Sequence, residues 1–151
     1  MMVTDRTQQE ADEAIAIRDK IKNKQDVTES EISTFERGFI TPNVLNRIES
    51  KQDEIAQILN DNGYSVEITT KQWQYGDAFT IGDYNRVIIN LETLRKAFYV
   101  FKNTPDTPLY LYGYREMNDF EKILVDIEKA IDNMKSSFVY SSSDIYSGGI
   151  Y

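Results

Sequence analysis

The chain has 151 residues, no cysteine, no histidine and a formal net charge of −8 at pH 7. This length suits one domain with one core, and the missing residue types exclude disulfides, zinc sites of the usual nitrogen and sulfur kind, and catalysis by cysteine or by a histidine base. The negative charge repels phosphate backbones and anionic membrane surfaces. We therefore expect no nucleic-acid partner, no membrane insertion and no cofactor.

Capping patterns predict where the helices begin. Four expected helix starts share a threonine cap followed by a capping partner or a proline: Thr7 with Glu10, Thr28 with Glu31, Thr41 with Pro42, and Thr80 with Asp83. Gly38 suits a left-handed cap at the end of the second helix. The third helix is expected to stop at Asn62-Gly63, and a fifth is expected from about Asn118 to Lys135.

A motif occurs twice, at Thr41–Ile48 and Thr80–Val87, with a fainter third copy at Asn118–Ile123. Aligning the copies also aligns the apolar positions that follow at spacings of three and four: Leu45, Ile48, Ile55 and Leu59; Tyr84, Val87, Leu91, Leu94 and Phe98; and Phe120, Ile123, Ile127, Ala130 and Met134. Such spacing puts one apolar stripe on each helix. The repeat predicts three helices that pack through equivalent faces.

Two segments alternate with period two instead, over residues 64–75 and 109–114. This alternation predicts strands that pair with each other. The expected fold is therefore mainly α, a bundle of about five helices with a small antiparallel β element. We expect one helical domain over residues 1–139, followed by a Ser/Gly/Tyr-rich tail over residues 140–151.

Two arginines, Arg47 and Arg86, occupy matching places in the repeat, each just before an apolar position of the stripe. An arginine there can lay its methylenes along the apolar seam and direct its guanidinium at a carboxylate of a neighbouring helix. We favour structural clamps, because a binding site seldom needs the same arrangement at two helix starts. A ligand-binding role is the alternative.

Aromatic side chains are concentrated in the two alternating segments: Trp73, Tyr75, Tyr110, Tyr112 and Tyr114. Flat apolar faces with polar edges can stack on sugar rings, so these residues are a candidate glycan platform. The alternative, which we favour, is that half of them pack in the core, because half-buried strands are rich in aromatic residues anyway.

The acidic residues show no pattern that favours catalysis. The nearest cluster, formed by Asp119, Glu121, Asp126 and Glu128, has a spacing that spreads it around a helix, so we expect a solvated face. A hydrolase site would need two carboxyl groups converging in a cleft. We therefore expect no enzymatic activity.

The tail carries two apolar pairs separated by Ser-Gly-Gly, Ile145-Tyr146 and Ile150-Tyr151. A segment of this kind can add to a partner as an edge strand or dock its aromatic rings in a groove. We consider it a candidate partner-binding tail, with a frayed terminus as the alternative.

The order of short motifs along the chain is more specific than any one of them. They are Thr4-Asp-Arg-Thr7, Leu45-Asn-Arg-Ile-Glu49, Trp73, Asn85-Arg-Val87, Asn90-Leu91, Leu94-Arg95, Thr107-Pro-Leu109, Asn118-Asp-Phe-Glu-Lys-Ile-Leu124 and the closing tail. This order resembles a helical module of bacteriophage and prophage tail-region structural proteins from Gram-positive hosts. The resemblance covers nearly the whole chain and carries no catalytic residues.

The resemblance implies a virion structural component of the tail, the baseplate or the host-attachment apparatus. From it we expect a non-enzymatic structural or adaptor protein that is made in the host cytoplasm and located in the virion tail region. The expected partners are other virion structural proteins and further copies of the chain as a homo-oligomer. The alternative function is a glycan-binding module for host-surface recognition.

Overall fold

The computed structural model describes residues 1–110 and 113–148, with side chains to residue 137. Five helices make up this part of the chain: α1 Gln8–Lys22, α2 Glu29–Gly38, α3 Pro42–Asp61, α4 Ile81–Ala97 and α5 Tyr114–Gly148. The prediction of a mainly helical fold with about five helices is confirmed. Capping boxes form at Thr7, Thr28 and Thr80 as expected, and Thr41 caps α3 ahead of Pro42.

Helices α3, α4 and α5 form a bundle in which all three run in the same direction. Glu49 of α3 pairs with Arg86 of α4, and Gln52, further along α3, donates to the carbonyl oxygen of Val87 at 3.0 Å. Between α3 and α5, Arg47 pairs with Glu121 and Lys51 with Glu128. Residue numbers rise together in both sets, so the helices are parallel.

The three predicted apolar stripes form the core of this bundle. Eleven of their fourteen members are buried: Leu45, Ile48, Ile55, Leu59, Val87, Leu91, Leu94, Phe120, Ile123, Ile127 and Ala130. The other three, Tyr84, Phe98 and Met134, are partly buried. The repeat therefore predicted the inward faces of all three helices.

Because the helices are parallel, the chain must travel back along the bundle between them. The first return segment (residues 62–80) follows α3 and the second (residues 98–110) follows α4, both extended and largely without regular structure. The backbone N–H of Val66 donates to Asn60, the hydroxyl of Thr70 donates to the Asp53 carboxylate at 2.5 Å, and the backbone N–H of Trp73 donates to Asn46. Residue numbers therefore rise along the segment as they fall along α3, so the first return segment runs antiparallel to α3.

The predicted antiparallel β element over 64–75 and 109–114 is wrong, since no strand occurs among the described residues. Val66 is buried and Ile68 partly buried, while Ser65, Glu67 and Thr69 are exposed, so the alternation over these residues correctly indicated an extended, half-buried backbone. Tyr64 and Tyr75 are exposed, so the alternation does not hold over the rest of the segment. The backbone groups of that segment bond to side chains of the helices instead of to a second strand. Tyr114 is the first residue of α5, and Tyr112 lies outside the described residues.

Helices α1 and α2 form an antiparallel hairpin beside the bundle. The two helices lie very close together at Gly38, where an added Cβ would be 2.2 Å from the Cβ of Ala14. The prediction that Gly38 adopts a left-handed cap is wrong: it is the last helical residue of α2, and its backbone is not among those with positive φ. Glycine is present there because only a hydrogen atom fits between the helices.

Helix α5 is longer at both ends than predicted, starting at Tyr114 and ending at Gly148. Residues 140–148 of the predicted tail are therefore part of this helix, including the backbone of Ile145 and Tyr146. Ile150 and Tyr151 lie outside the described residues. In the described part of the chain, no helix combines the length and the apolar character needed to cross a membrane.

Candidate functional site

Four asparagine side chains each bind the backbone of one residue in an extended segment, an arrangement that we call an amide pairing. In every case the amide oxygen accepts from the backbone N–H and the amide nitrogen donates to the carbonyl of the same residue. The pairs are Asn46 with Trp73, Asn60 with Val66, Asn90 with Thr69, and Asn118 with Arg6.

An amide pairing reproduces the two backbone hydrogen bonds that a neighbouring β-strand would make. In a hydrogen-bonded pair of an antiparallel sheet, the N–H and the C=O of one residue both form hydrogen bonds to the same partner residue. The Asn46 amide makes the same two bonds to Trp73, at 2.7 Å from the N–H and 2.9 Å to the carbonyl oxygen. The helices thus satisfy extended backbone that would otherwise lie half-buried without partners.

Glu121 of α5 lies at the centre of a buried charge cluster. Its side chain is fully buried, and one of its carboxylate oxygens accepts from Arg6 at 2.5 Å and from Arg47 at 2.6 Å. The other oxygen accepts from the backbone N–H of Val3 at 2.5 Å. Burial lowers the pKa of the Arg6 guanidinium, although its bond to Glu121 opposes this shift. The cluster joins the N-terminal segment to α3 and α5.

Arg6 also connects the α1–α2 hairpin to the bundle. Its Nε donates to the carbonyl oxygen of Arg37 at 2.9 Å, near the end of α2, and Nη1 donates to the carbonyl oxygen of Val3 at 2.7 Å. The buried apolar residues of the hairpin, Ala14 and Ile17, are not part of the main core. Arg6 therefore links the end of α2 to the N-terminal segment and, through Glu121, to α5.

A second buried carboxylate, Glu49 of α3, pairs with Arg86 of α4 and accepts from the indole N–H of Trp73. Arg86 donates further to the carbonyl oxygen of Thr69 at 3.0 Å. Burial disfavours the charge on Arg86, but its interactions with Glu49 and Asp83 together outweigh that effect and raise the pKa of the guanidinium. This cluster ties the first return segment to two helices.

Arg47 and Arg86 thus lie where the clamp hypothesis requires, each donating to a buried carboxylate on a neighbouring helix. Their contribution to stability stays a prediction. The expectation that the acidic residues of α5 spread around a solvated face is wrong for Glu121 and Asp126, which are buried. Asp126 accepts from the hydroxyl of Thr104 at 2.8 Å, because the second return segment covers that side of α5.

The candidate glycan platform is not one continuous exposed surface. Trp73 is 4% exposed and packs edge-on against Phe79, with the Nζ of Lys71 4.0 Å from its ring centre, so it presents no open face for a sugar. Tyr75 and Tyr110 are exposed, and Tyr114 is half-buried. The tryptophan belongs to the core because its indole N–H binds Glu49.

A groove of about 400 Å³ opens where α4 begins and the second return segment ends. Its lining is uncharged: Ile40, Phe79, Thr80, Ile81, Tyr84, Asn85, Leu109 and Tyr110. Ile81 is 82% exposed and Leu109 78% exposed. Apolar side chains this exposed, gathered at one groove, are typical of a surface that contacts another protein.

Sequence reasoning assigned no role to Arg6, whose side chain bonds to the N-terminal segment, to α2 and to α5. It also missed the amide pairings, although Asn46, Asn85 and Asn118 recur at one position of the repeat. That recurrence was the available indication. In the described part of the chain, no three carboxylates, histidines or cysteines come together in a way that could hold a metal ion.

Comparisons with known proteins give no family for the chain: no family model matches it, nor does any curated protein or solved structure.

Proposed function

We propose that this protein is a non-enzymatic structural or adaptor component of a phage tail, baseplate or host-attachment apparatus, acting through protein–protein contacts. The observation that carries the proposal is the uncharged groove edged by the exposed side chains of Ile81, Leu109 and Tyr110. The resemblance of the motif order to tail-region structural proteins supplies the setting.

The charged groups of the bundle support a structural role over a catalytic one. A catalytic carboxylate needs access to substrate and a proton-transfer partner. Glu49 and Glu121 are instead enclosed and bonded to arginines that join neighbouring segments. With no histidine or cysteine in the chain, few groups remain for acid–base or nucleophilic work.

The proposal is tested by asking whether the protein is incorporated into particles. Particles from a Gram-positive host that carries the gene are purified, and the chain is sought by mass spectrometry and by immunogold labelling. Deletion of the gene is then complemented with the wild type, with Ile81→Asp/Leu109→Asp, or with Ile89→Asp as a matched control. Ile89 is also exposed but lies outside the groove.

We expect the wild type and Ile89→Asp in tail structures and the groove variant in the soluble fraction. The wild type and both variants must first show the same thermal unfolding midpoint, so that misfolding does not explain the loss. Absence of the wild-type chain from purified particles would overturn the proposal.

A glycan-binding module is the second candidate, favoured by the exposed rings of Tyr75 and Tyr110. Host cell-wall glycans are titrated against wild type, Tyr75→Ala and Tyr110→Ala, with Tyr99→Ala as an exposed control. Saturable binding that the first two changes remove and the third preserves would favour this function over the adaptor.

A further inference from the structure

The bundle carries one asparagine at the same place in each of its three parallel helices. Asn46, Asn85 and Asn118 each lie four residues after the first residue of α3, α4 and α5. Two of the three make an amide pairing: Asn46 binds Trp73, and Asn118 binds Arg6. Asn85 makes none with the residues that the structure describes, and its side chain is exposed.

Both occupied positions have the same kind of occupant. Trp73 and Arg6 belong to extended segments that lie along the bundle, and the asparagine binds the backbone N–H and carbonyl of each. Asn118 also accepts from the Arg6 guanidinium at 3.3 Å. Tryptophan and arginine are unlike each other in size and charge. The amide pairing at this position therefore binds extended backbone of either residue type, while a carboxylate three residues further along the helix, Glu49 or Glu121, binds the side-chain N–H of the occupant. In α4 that place is taken by Ile88, which suits an uncharged occupant because it offers no carboxylate to a side-chain donor.

The surroundings of Asn85 suit an occupant of the same kind. Asn85 lines the uncharged groove, with Ile81 and Leu109 exposed at its edge. A charged segment would lose hydration there without gaining an opposite charge, whereas an uncharged segment would bury apolar surface. Side chains of an extended segment alternate in direction, so those beside the paired residue can cover the apolar edge.

We propose that the groove at Asn85 binds an extended, uncharged segment of a partner protein, which pairs its backbone N–H and carbonyl with the Asn85 amide and packs apolar side chains on Ile81 and Leu109. Main-chain recognition of this kind gives affinity, while the flanking apolar contacts give selectivity. The inference rests on the proposed role in protein–protein contacts and names the surface and the chemistry of the partner.

The test uses a display library of linear decapeptides selected against the purified full-length protein. The strongest binders are synthesised and their affinities measured by calorimetry for wild type, Asn85→Ala, Ile81→Asp and the matched control Asn133→Ala. Asn133 is an exposed asparagine on α5, away from the groove. Nitrogen-15 NMR of the Asn85 side-chain amide reports directly on the pairing.

We expect binders that lack charge and place apolar residues at alternate positions. Loss of two backbone hydrogen bonds should weaken binding to Asn85→Ala about tenfold to a hundredfold. Ile81→Asp should bind still more weakly, and Asn133→Ala should match the wild type. The Asn85 amide resonance should shift on binding, and one peptide N–H should become protected from exchange.

Three outcomes would overturn the inference. The first is binders whose affinity Asn85→Ala leaves unchanged, or that bind as helices. The second is an Asn85 amide already hydrogen-bonded to residues 110–112 in the free protein. The third is self-association of the purified chain that Ile81→Asp abolishes, since the occupant would then be a second copy. None of these outcomes overturns the proposed function, because that function is tested by incorporation into particles. If instead the groove binds peptides but the protein is absent from particles, the inference holds and the proposed function is wrong.

Discussion

The side-chain amide of Asn118 binds the backbone of Arg6 twice, accepting from its N–H at 3.1 Å and donating to its carbonyl oxygen at 3.0 Å. The Arg6 guanidinium in turn reaches Glu121, one turn further along the same helix, at 2.5 Å. One residue of the N-terminal segment is thus fixed to α5 through both its backbone and its side chain. Asn46 and Glu49 of α3 hold Trp73 by the same pair of interactions, amide to backbone and carboxylate to side-chain N–H.

The amide pairings should contribute measurably to stability. Replacing Asn46 or Asn118 with alanine leaves a half-buried backbone N–H and carbonyl without partners, which should lower the free energy of unfolding by about 1–3 kcal/mol. Asn85→Ala is the matched control, and it should change stability by less than about 0.5 kcal/mol. Urea unfolding followed by circular dichroism measures all three. Equal effects at the three positions would show that the pairings are incidental.

The clamp hypothesis predicts that lysine cannot replace Arg86. Arg86 bonds to Glu49 and to the carbonyl oxygen of Thr69 at once, and a single ammonium does not reproduce that fork. Arg86→Lys should lower the free energy of unfolding by about 1–2 kcal/mol, and Arg47→Lys should act in the same direction. Arg18→Lys, in an exposed pair with Asp19, is the control and should be nearly silent. If neither Arg47→Lys nor Arg86→Lys lowered the free energy of unfolding, the clamp hypothesis would be wrong.

The contact between Gly38 and Ala14 predicts a compensating pair of substitutions. Gly38→Ala should destabilise by about 1–3 kcal/mol, because the new methyl group would force the helices of the hairpin apart. Adding Ala14→Gly removes the opposing Cβ and should recover part of the loss, less the low helix propensity of glycine. A double-mutant cycle measured by thermal unfolding gives the coupling free energy between positions 14 and 38. Additive effects would mean that the two positions do not meet.

Stability should fall in acid partly through Glu10. Its hydrogen bond to Arg37 holds the pKa of the Glu10 carboxyl below its ordinary value, so the folded state favours the ionised form. A lowered native pKa contributes stability that is present above the unfolded value, about 4.3, and is lost as the pH falls through the native pKa. Glu10→Gln should therefore be less stable than wild type at pH 7, and the difference should shrink below about pH 4. Glu13→Gln serves as the control, and a difference independent of pH would contradict this assignment.

Local chemistry fixed most of the helical architecture. The threonine caps placed four helix starts, because a hydroxyl acceptor satisfies a free N–H wherever that helix later packs. The three stripes identified the core in the same way, since apolar side chains three and four residues apart share one face of a helix. Period-two alternation over residues 65–69 correctly indicated extended backbone, but alternation reports burial of every second residue and not which groups bond to the backbone.

The tertiary structure alone decided which polar groups became buried. Glu121 and Asp126 look like solvated residues in the sequence, but the N-terminal segment and Arg47 enclose Glu121, and the second return segment covers Asp126. Arg6, in the N-terminal segment, and Trp73, in the first return segment, acquire their roles through contacts with residues far along the chain. Capped helix starts and core faces depend on neighbours within a few residues, so the sequence by itself determined the starts of α1 to α4 and the inward faces of the bundle, but not the start of α5. The buried charges, the long-range amide pairings and the open groove at Asn85 depend on how the helices, the return segments and the N-terminal segment pack together, and no local pattern encodes that packing.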